Sequence, residues 1–360
     1  MINRYKKIIK SLCALMVISI ATVGSVQAQI GDIGEVLRAG AEDATVLTKE
    51  YLRPFPTGFG TGLNAGWTES AAPKKTLGFS LQIRPSLAFV PTKNQSFDIS
   101  SLNLQKIEVA AGENPVTPTI AGENTIGTEL VVKENGNEIA RFNMPQGSGF
   151  SAVPAPIVQA SLGLIKGTDV TVRFFPKTEI EDYGNVGLIG GAIKHDITQW
   201  LPASAVIPVD ISVMLGFNSM TVNANLDVPS QGARNPNDPS LTSNPNPDFS
   251  EQVLETQFNS FVMNALVGKS LPLISVYGGV GYQTASLDLD ITGDYPVNTD
   301  VAGQTFYNVV SDPVSFGLDS ESSVHLLGGF RFRLGVLAFY GEATLANYFT
   351  ANAGIGISFR

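Results

Sequence analysis

Two histidines, three arginines set in apolar runs and one acidic hexapeptide are the residues of this chain with chemistry to offer. His195 and His325 are the only imidazoles in 360 residues. No Ser/His/Asp order accompanies a GxSxG nucleophile elbow, so acyl transfer has no signature here. Two histidines so far apart also make a poor zinc set, which needs three or four convergent ligands. The stretch DLDITG, Asp288 to Gly293, opens as a calcium loop does, with acids at positions one and three and glycine at six. Position twelve is Thr299 where that loop needs Glu. Asp288 and Asp290 therefore read first as a strand running out into an acidic loop, and second as a surface calcium site. No cofactor, resident metal or enzymatic reaction is expected.

The arginines pose a sharper question. In SVHLLGGFRFRL, 323–334, Val324, Leu326, Phe330, Phe332 and Leu334 fall on one face, and Arg331 and Arg333 on the other. LGFSLQIRPSLAF, 77–89, repeats the arrangement, with Leu, Phe, Leu, Ile, Pro, Leu and Phe at odd positions and Arg84 among the even ones. Such period-two alternation is the mark of a strand with two unlike faces. An arginine facing lipid at mid-bilayer costs about 2–4 kcal/mol, whereas one facing a wet lumen costs little. By parity Arg84, Asp210, His325, Arg331, Arg333, Tyr340 and Glu342 share the wet face. They would serve either as internal ion pairs or to bind an anionic head group and set pore selectivity.

The elements that must position them are long. Alternating runs are predicted near 58–68, 76–90, 156–165, 168–175, 185–194, 207–226, 251–267, 273–291, 323–334, 336–347 and 351–360. Most reach the nine to eleven residues that a tilted strand needs to cross a bilayer. FDISSLNLQKIEV, 97–109, supplies a twelfth strand. A hairpin signal at Asn135-Gly136 either folds over the mouth or raises the count to fourteen. Connections are tight at Gly335 and 268–272 and long at 110–155, 227–250 and 292–322, as outer-membrane barrels require. Trp200, in HDITQWLPASA at a short-turn rim, is placed as an interfacial belt residue. The fold expected is all-β: an antiparallel transmembrane β-barrel of 12–14 strands over 58–360. Residues 29–57 precede it, with an amphipathic helix at 32–52 acting as plug or periplasmic cap. Asp32 and Glu35 form its capping box and Pro54 its stop.

Composition agrees. Residues 1–28, with Arg4, Lys6, Lys7 and Lys10 before an apolar run and a small-residue site at Val26 and Ala28, have the form of a cleaved signal peptide. Its removal takes away the single cysteine and leaves 19 basic against 32 acidic residues. That balance argues against nucleic acid as a partner. Charged residues are 15 % and glycines number 36, a composition poor in charge for a soluble domain.

AGAEDATVLTKEYLRPFPTGFGTGLNAGW, 39–67, and GGAIKHDITQWLP, 190–202, resemble a family of Bacteroidota outer-membrane proteins. That likeness implies a Gram-negative outer-membrane location and little chemistry. The acidic AEDA helix ahead of the first strand resembles, more remotely, the hatch of long-chain fatty-acid transport barrels. There a plugged barrel releases hydrophobic solutes sideways into the membrane. Those barrels carry an Asn-Pro-Ala signature where LRPFPTG stands here, so no ligand residue is carried over. Phe359 resembles the terminal aromatic by which barrels engage the assembly machinery. The function expected is porin-like passive uptake of a small hydrophobic or amphipathic solute, with membrane lipids as neighbours. A non-transporting structural or surface-binding barrel is the alternative, and a soluble exported β-sandwich the third reading.

Overall fold

The computed structural model describes residues 41–134, 136–179, 184–202, 208–230, 232–301 and 304–359. The proposed signal peptide and residues 29–40 lie outside them. Two helices come first, α1 (Ala41–Leu52) and α2 (Pro54–Asn64). Ten wall strands follow. β1 is broken into Phe79–Ile83 and Ser86–Phe89, and β2 into Ala152–Ala155 and Val158–Gly163. The rest are β3 (Thr168–Glu179), β4 (Gly184–Asp196), β5 (Asp210–Asn225), β6 (Val253–Ser270), β7 (Ile274–Thr292), β8 (Ser323–Leu334), β9 (Leu337–Leu345) and β10 (Phe349–Phe359). Each pairs antiparallel with its chain neighbour, and β10 returns to β1 from Phe79↔Phe359 to Ile83↔Ile355. The sheet is therefore a closed barrel, which removes the sandwich reading.

The wall has ten strands, not twelve to fourteen. The predicted strand 58–68 is helix α2 as far as Asn64 and irregular chain beyond it, and it lies inside the barrel. The predicted twelfth, 97–109, breaks into Ser96–Asp98, a short 3₁₀ turn and Ile107–Val109, which pair outside the wall. The hairpin around Gly136 joins Glu129–Glu134 to Asn137–Asn143 and packs with Ile107–Val109 over the mouth. An even count satisfies the rule for bacterial barrels.

Parity holds around the wall. Leu81, Ile83, Leu87, Leu215, Phe217, Phe330, Phe332 and Ile355 point outward and are exposed, while Gln82, Arg84, Ser86, Asn218, His325 and Asn352 are buried inside. A contiguous apolar belt of this size on a folded surface is stable only against lipid. On the outer faces of β5, β6 and β7 the belt gives way to polar side chains along one line, where Ser219, Asn259 and Ser286 stand in register. Below that line the outward residues are Phe217 and Phe261 and, past Thr284 on β7, Tyr282, all three aromatics exposed.

One rim carries the connections 164–167, 197–209, 271–273 and 335–336, with exposed Trp200 beside them. The last is a two-residue hairpin turn whose Gly335 takes φ +63°. The other rim carries the long segments 90–151, 226–252 and 293–322. The plug half of the predicted plug-or-cap role does not fit α1, which stands outside the lumen. It sits at the long-loop rim, where Leu47 and Tyr51 enter one core with Phe97, Ile107, Leu130 and Phe142. Its Ala44 enters a second core with Leu289, Tyr295, Val297 and Phe316. The plug is instead the following stretch, 54–76.

The long segments fold into a cap. Asp43 is 2 % exposed and accepts the backbone N–H groups of Gln105 (2.8 Å), Lys106 (2.8 Å) and Ile107 (3.2 Å). Removing a buried acceptor strands its donors at about 1–3 kcal/mol each. Asp43→Ala is therefore expected to raise amide exchange across 104–109 while leaving the wall strands protected.

The Pro/Asn tract 227–250 is also folded, although its composition reads as unable to bury itself. Asp238 accepts from Arg234 (2.7 Å), the Ser240 amide (2.9 Å) and the Val309 amide (3.1 Å). Asp294 accepts from Asn244 (2.8 Å) and the Asp248 amide (2.9 Å). Burial pushes the Asp238 carboxyl up, but the bonds from Ser240, Arg234 and Val309 outweigh it and hold it below its ordinary value. Asp294 is likewise raised by burial and lowered further by Ser311, Asn244 and the Asp248 amide. A depressed folded-state pKa contributes stability above the unfolded value of about 3.9, lost as pH falls through the folded one. The Ser240 and Val309 amide resonances are expected to hold their positions from neutral pH to about 4 and to shift below it.

Candidate functional site

The lumen is occupied from rim to rim by the chain's own residues 54–76. α2 opens with Pro54 and Pro56, and every residue from Pro56 to Asn64 is buried. It fits because its surface is small: a Cβ on Gly60 would stand 2.6 Å from the Ala285 methyl of β7. Phe59 meets Phe258 of β6 edge-on at 5.0 Å, and Phe55 stacks on Phe59 at 5.3 Å.

Below α2 the chain runs extended, and its backbone groups are held by buried wall side chains. Arg173 of β3 caps the helix. Its guanidinium donates to Leu63 O, to Ala65 O at 2.8 Å and to Gln159 Oε1 at 2.9 Å, and lies 3.5 Å from the centre of the Trp67 ring. A cation at a helix C-terminus also answers the negative end of the dipole. Glu342 accepts the Gly66 N–H at 2.6 Å and the Tyr277 hydroxyl at 2.8 Å. Arg84 donates to Thr68 O at 2.5 Å and to Asn352 Oδ1 at 2.9 Å. Its guanidinium stands over the Tyr340 ring at 5.1 Å and 4.0 Å from the Glu342 carboxylate.

The lowest layer centres on Glu69. Its carboxylate takes Lys74, Gln82 Nε2 at 2.6 Å and Arg331 Nη1 at 2.7 Å, and Arg331 also donates to Ser275 at 2.9 Å. Lys194 reaches Ser70 O at 2.8 Å and Asp169 at 3.2 Å, and Asp169 accepts the Lys74 amide at 2.8 Å. A cleft between Trp67, Glu69, Asp169 and Lys194 has a volume of about 10 Å³, room for a single water and no more. Arg84, Arg173, Lys194 and Glu342 are spent on the plug's backbone and Gln82 and Arg331 on its Glu69 carboxylate, so the arrangement is a mechanical anchor.

Of the residues predicted from parity, Arg84, Arg331, Tyr340 and Glu342 come together around the plug. His325 is lumenal but apart from them, its Nε2 bonded to Asn264 Oδ1 at 2.8 Å. Asp210 and Arg333 stand half-buried at the short-turn rim, outside the cluster. Asp288 and Asp290 lie on the outer face of β7 within an unbroken strand that continues to Thr292, so no calcium loop forms there. Glu69, Lys74, Asp169, Arg173 and Lys194 join the cluster from outside the predicted set. The alternation of Asp169, Thr171 and Arg173 with Val170, Val172 and Phe174 carried a signal for two of them. Glu69 and Lys74 carried none, because they belong to the segment read as strand and turn.

The wall has one irregularity beside Arg84. β1 breaks at Arg84-Pro85 and β2 at Pro156-Ile157, and the breaks face each other, with Arg84 N–H donating to Ile157 O at 2.8 Å. Above them β2 pairs only with β1, from Ser86↔Ala155 to Phe89↔Ala152. β3 leaves β2 after Arg173↔Gln159 and continues to Glu179 paired with β4 alone. Among the described residues no ladder joins 152–155 to 174–179. Pro154, Pro156 and Pro176 border this seam and have no N–H to leave unpaired. Phe174 is exposed beside it, and Phe175 leads inward to the cluster of Phe55, Phe59, Val153, Leu188 and Met220.

Similar solved structures are barrels. They include Ail, the attachment invasion locus protein of Yersinia pestis (7 % identity, 79 % of this chain and 100 % of that one, TM-score 0.23). The translocator domain of the autotransporter NalP from Neisseria meningitidis is similar too (10 %, 88 % and 98 %, 0.27). So is the outer membrane protease OmpT from Escherichia coli (8 %, 79 % and 99 %, 0.28). At this level the likeness is of barrel to barrel and goes no further. No curated protein matches the sequence. The pattern of DUF6588, described as a family of unknown function, matches residues 5–359.

Proposed function

The chain belongs to the DUF6588 family, and we propose that it is a Gram-negative outer-membrane barrel, closed to axial flow, that exchanges a small hydrophobic or amphipathic solute with the bilayer through the side of its wall. The observation that carries this reading is the seam between the upper halves of β2 and β3, which opens at the upper edge of the belt, where Phe174, Ile189 and Ser219 stand in register. Backbone facing lipid with open donors and acceptors costs several kcal/mol per group. Prolines at three seam positions reduce that cost, and the apolar cluster that Phe175 packs against stands directly behind it. Axial passage is disfavoured by the plug and its buried charges. No reaction is part of the proposal. Lipids surround the belt, and β10, ending at Phe359, would engage the assembly machinery.

Two measurements test it. In planar bilayers the purified chain is expected to show no stable conductance. A photoreactive palmitate analogue in the bilayer is expected to label peptides 152–157 and 174–179 above the rest of the belt. Labelling spread evenly around the barrel sinks lateral exchange. It favours the second reading, a structural or surface-binding barrel, which the folded cap on the long-loop rim supports.

A further inference from the structure

The direction in which residues 41–76 run through the barrel has a consequence for which side of the membrane they occupy. The contacts descend in order. Thr57 Oγ1 accepts the Glu321 N–H at 3.2 Å at the long-loop rim. Phe59 lies against Phe258, and Asn64 donates to Phe261 O at 3.1 Å. Trp67 rests on Gly216, further down β5, where a Cβ would come within 3.0 Å of its indole. Leu77 N–H donates to Gly163 O at 2.8 Å at the short-turn rim, and β1 starts there. α1 lies beyond the opposite end, tied to the cap by Asp43, by Tyr51 Oη donating to Gln146 O at 2.9 Å and by Lys49 over the Phe316 ring at 5.3 Å.

Short turns of outer-membrane barrels face the periplasm and long loops the exterior. We infer that α1 is a cell-surface element and that 54–76 is the path by which the chain returns from the exterior to the periplasmic rim before the first strand begins. This rests on the outer-membrane reading. It also gives α1 a function: with Ala44 in one core and Leu47 and Tyr51 in the other, it is the joint between the two lobes of the cap. The side of the barrel from which an export leader is removed and the side on which α1 rests are thus opposite.

Cysteine labelling of whole cells tests this in the full chain. In a Cys13→Ser background, Glu42→Cys and Arg53→Cys place a thiol at exposed positions of α1 and its junction, and Val336→Cys places one in the short turn. The probe is a maleimide polymer too large to cross the outer membrane. Glu42→Cys and Arg53→Cys are expected to label in intact cells to the level reached after lysis, and Val336→Cys only after lysis. Labelling of Glu42→Cys and Arg53→Cys only after lysis, in a chain that fractionates with the outer membrane, overturns the direction of threading alone. Recovery of the chain in the soluble fraction overturns the membrane reading with it.

Discussion

Glu69→Ala is expected to lower the stability of the barrel by about 3–5 kcal/mol, the cost of stripping one partner from a buried charge cluster. Glu69 and Lys74 have side chains 5 % exposed, and Arg331 is 14 % exposed. With the carboxylate gone, two cations remain in a lumen that already holds Arg84, Arg173 and Lys194. Water reaches Arg331 from the short-turn rim, which places the effect nearer the lower figure. The measurement is the urea midpoint of the heat-modifiable gel shift, which follows barrel closure directly. Glu69→Gln keeps the shape and one acceptor but no charge, and should fall between. A midpoint unchanged in Glu69→Ala would mean that the plug is not anchored at its base.

The second large effect is expected at Arg173. Its guanidinium makes two bonds to plug carbonyls and one to Gln159, and each charge-assisted bond contributes about 1.5–3 kcal/mol. Arg173→Met keeps the stem and loses the fork, so about 3 kcal/mol should go, together with the cation over the Trp67 face. Arg173→Lys should not restore it, because one ammonium cannot span Leu63 O, Ala65 O and the ring together. In a Trp200→Phe background Trp67 is the only indole, so its emission reports the plug. A red shift and quenching by acrylamide in Arg173→Met, absent in the parent chain, are the expected result. Emission as protected as the parent's would show that α2 is held by packing alone.

The facing of the wall was readable because a strand with lipid on one side and a crowded lumen on the other leaves no freedom at alternate positions. Leu81, Ile83, Leu215 and Phe332 stand where parity puts them. The plug was not readable for a reason of the same kind. Phe59, Thr61, Leu63, Ala65 and Trp67 alternate with small residues as a strand would. The glycines of PFPTGFGTGLN also argue against a helix in isolation. Enclosure overrides propensity: a helix surrounded by wall on every side needs small residues all round, and β-like alternation is one way to write them. The cap was misjudged differently. Ser96–Asp98, Ile107–Val109 and the Gly136 hairpin have the right residues for strands, but Ser96–Asp98 pairs with Val116–Pro118, Ile107–Val109 pairs with the hairpin, and α1 packs against them. Those pairings are set by segments far apart in the chain, which alternation does not encode.

The plug precedes β1 in the chain, and β1 is also the strand that seals the cylinder against β10, with Phe79 opposite Phe359. The ladder joining the two ends of the domain spans nearly its whole length, the slowest class of contact to form. The last pairing to zip must therefore enclose a segment tethered directly to it. Insertion and wrapping become one event: if 54–76 arrives late, Arg84 on β1 has no Thr68 carbonyl to meet, and the cylinder shuts around unpaired cations. A chain whose plug is supplied separately, as a peptide added after refolding, would face a finished wall with no way in.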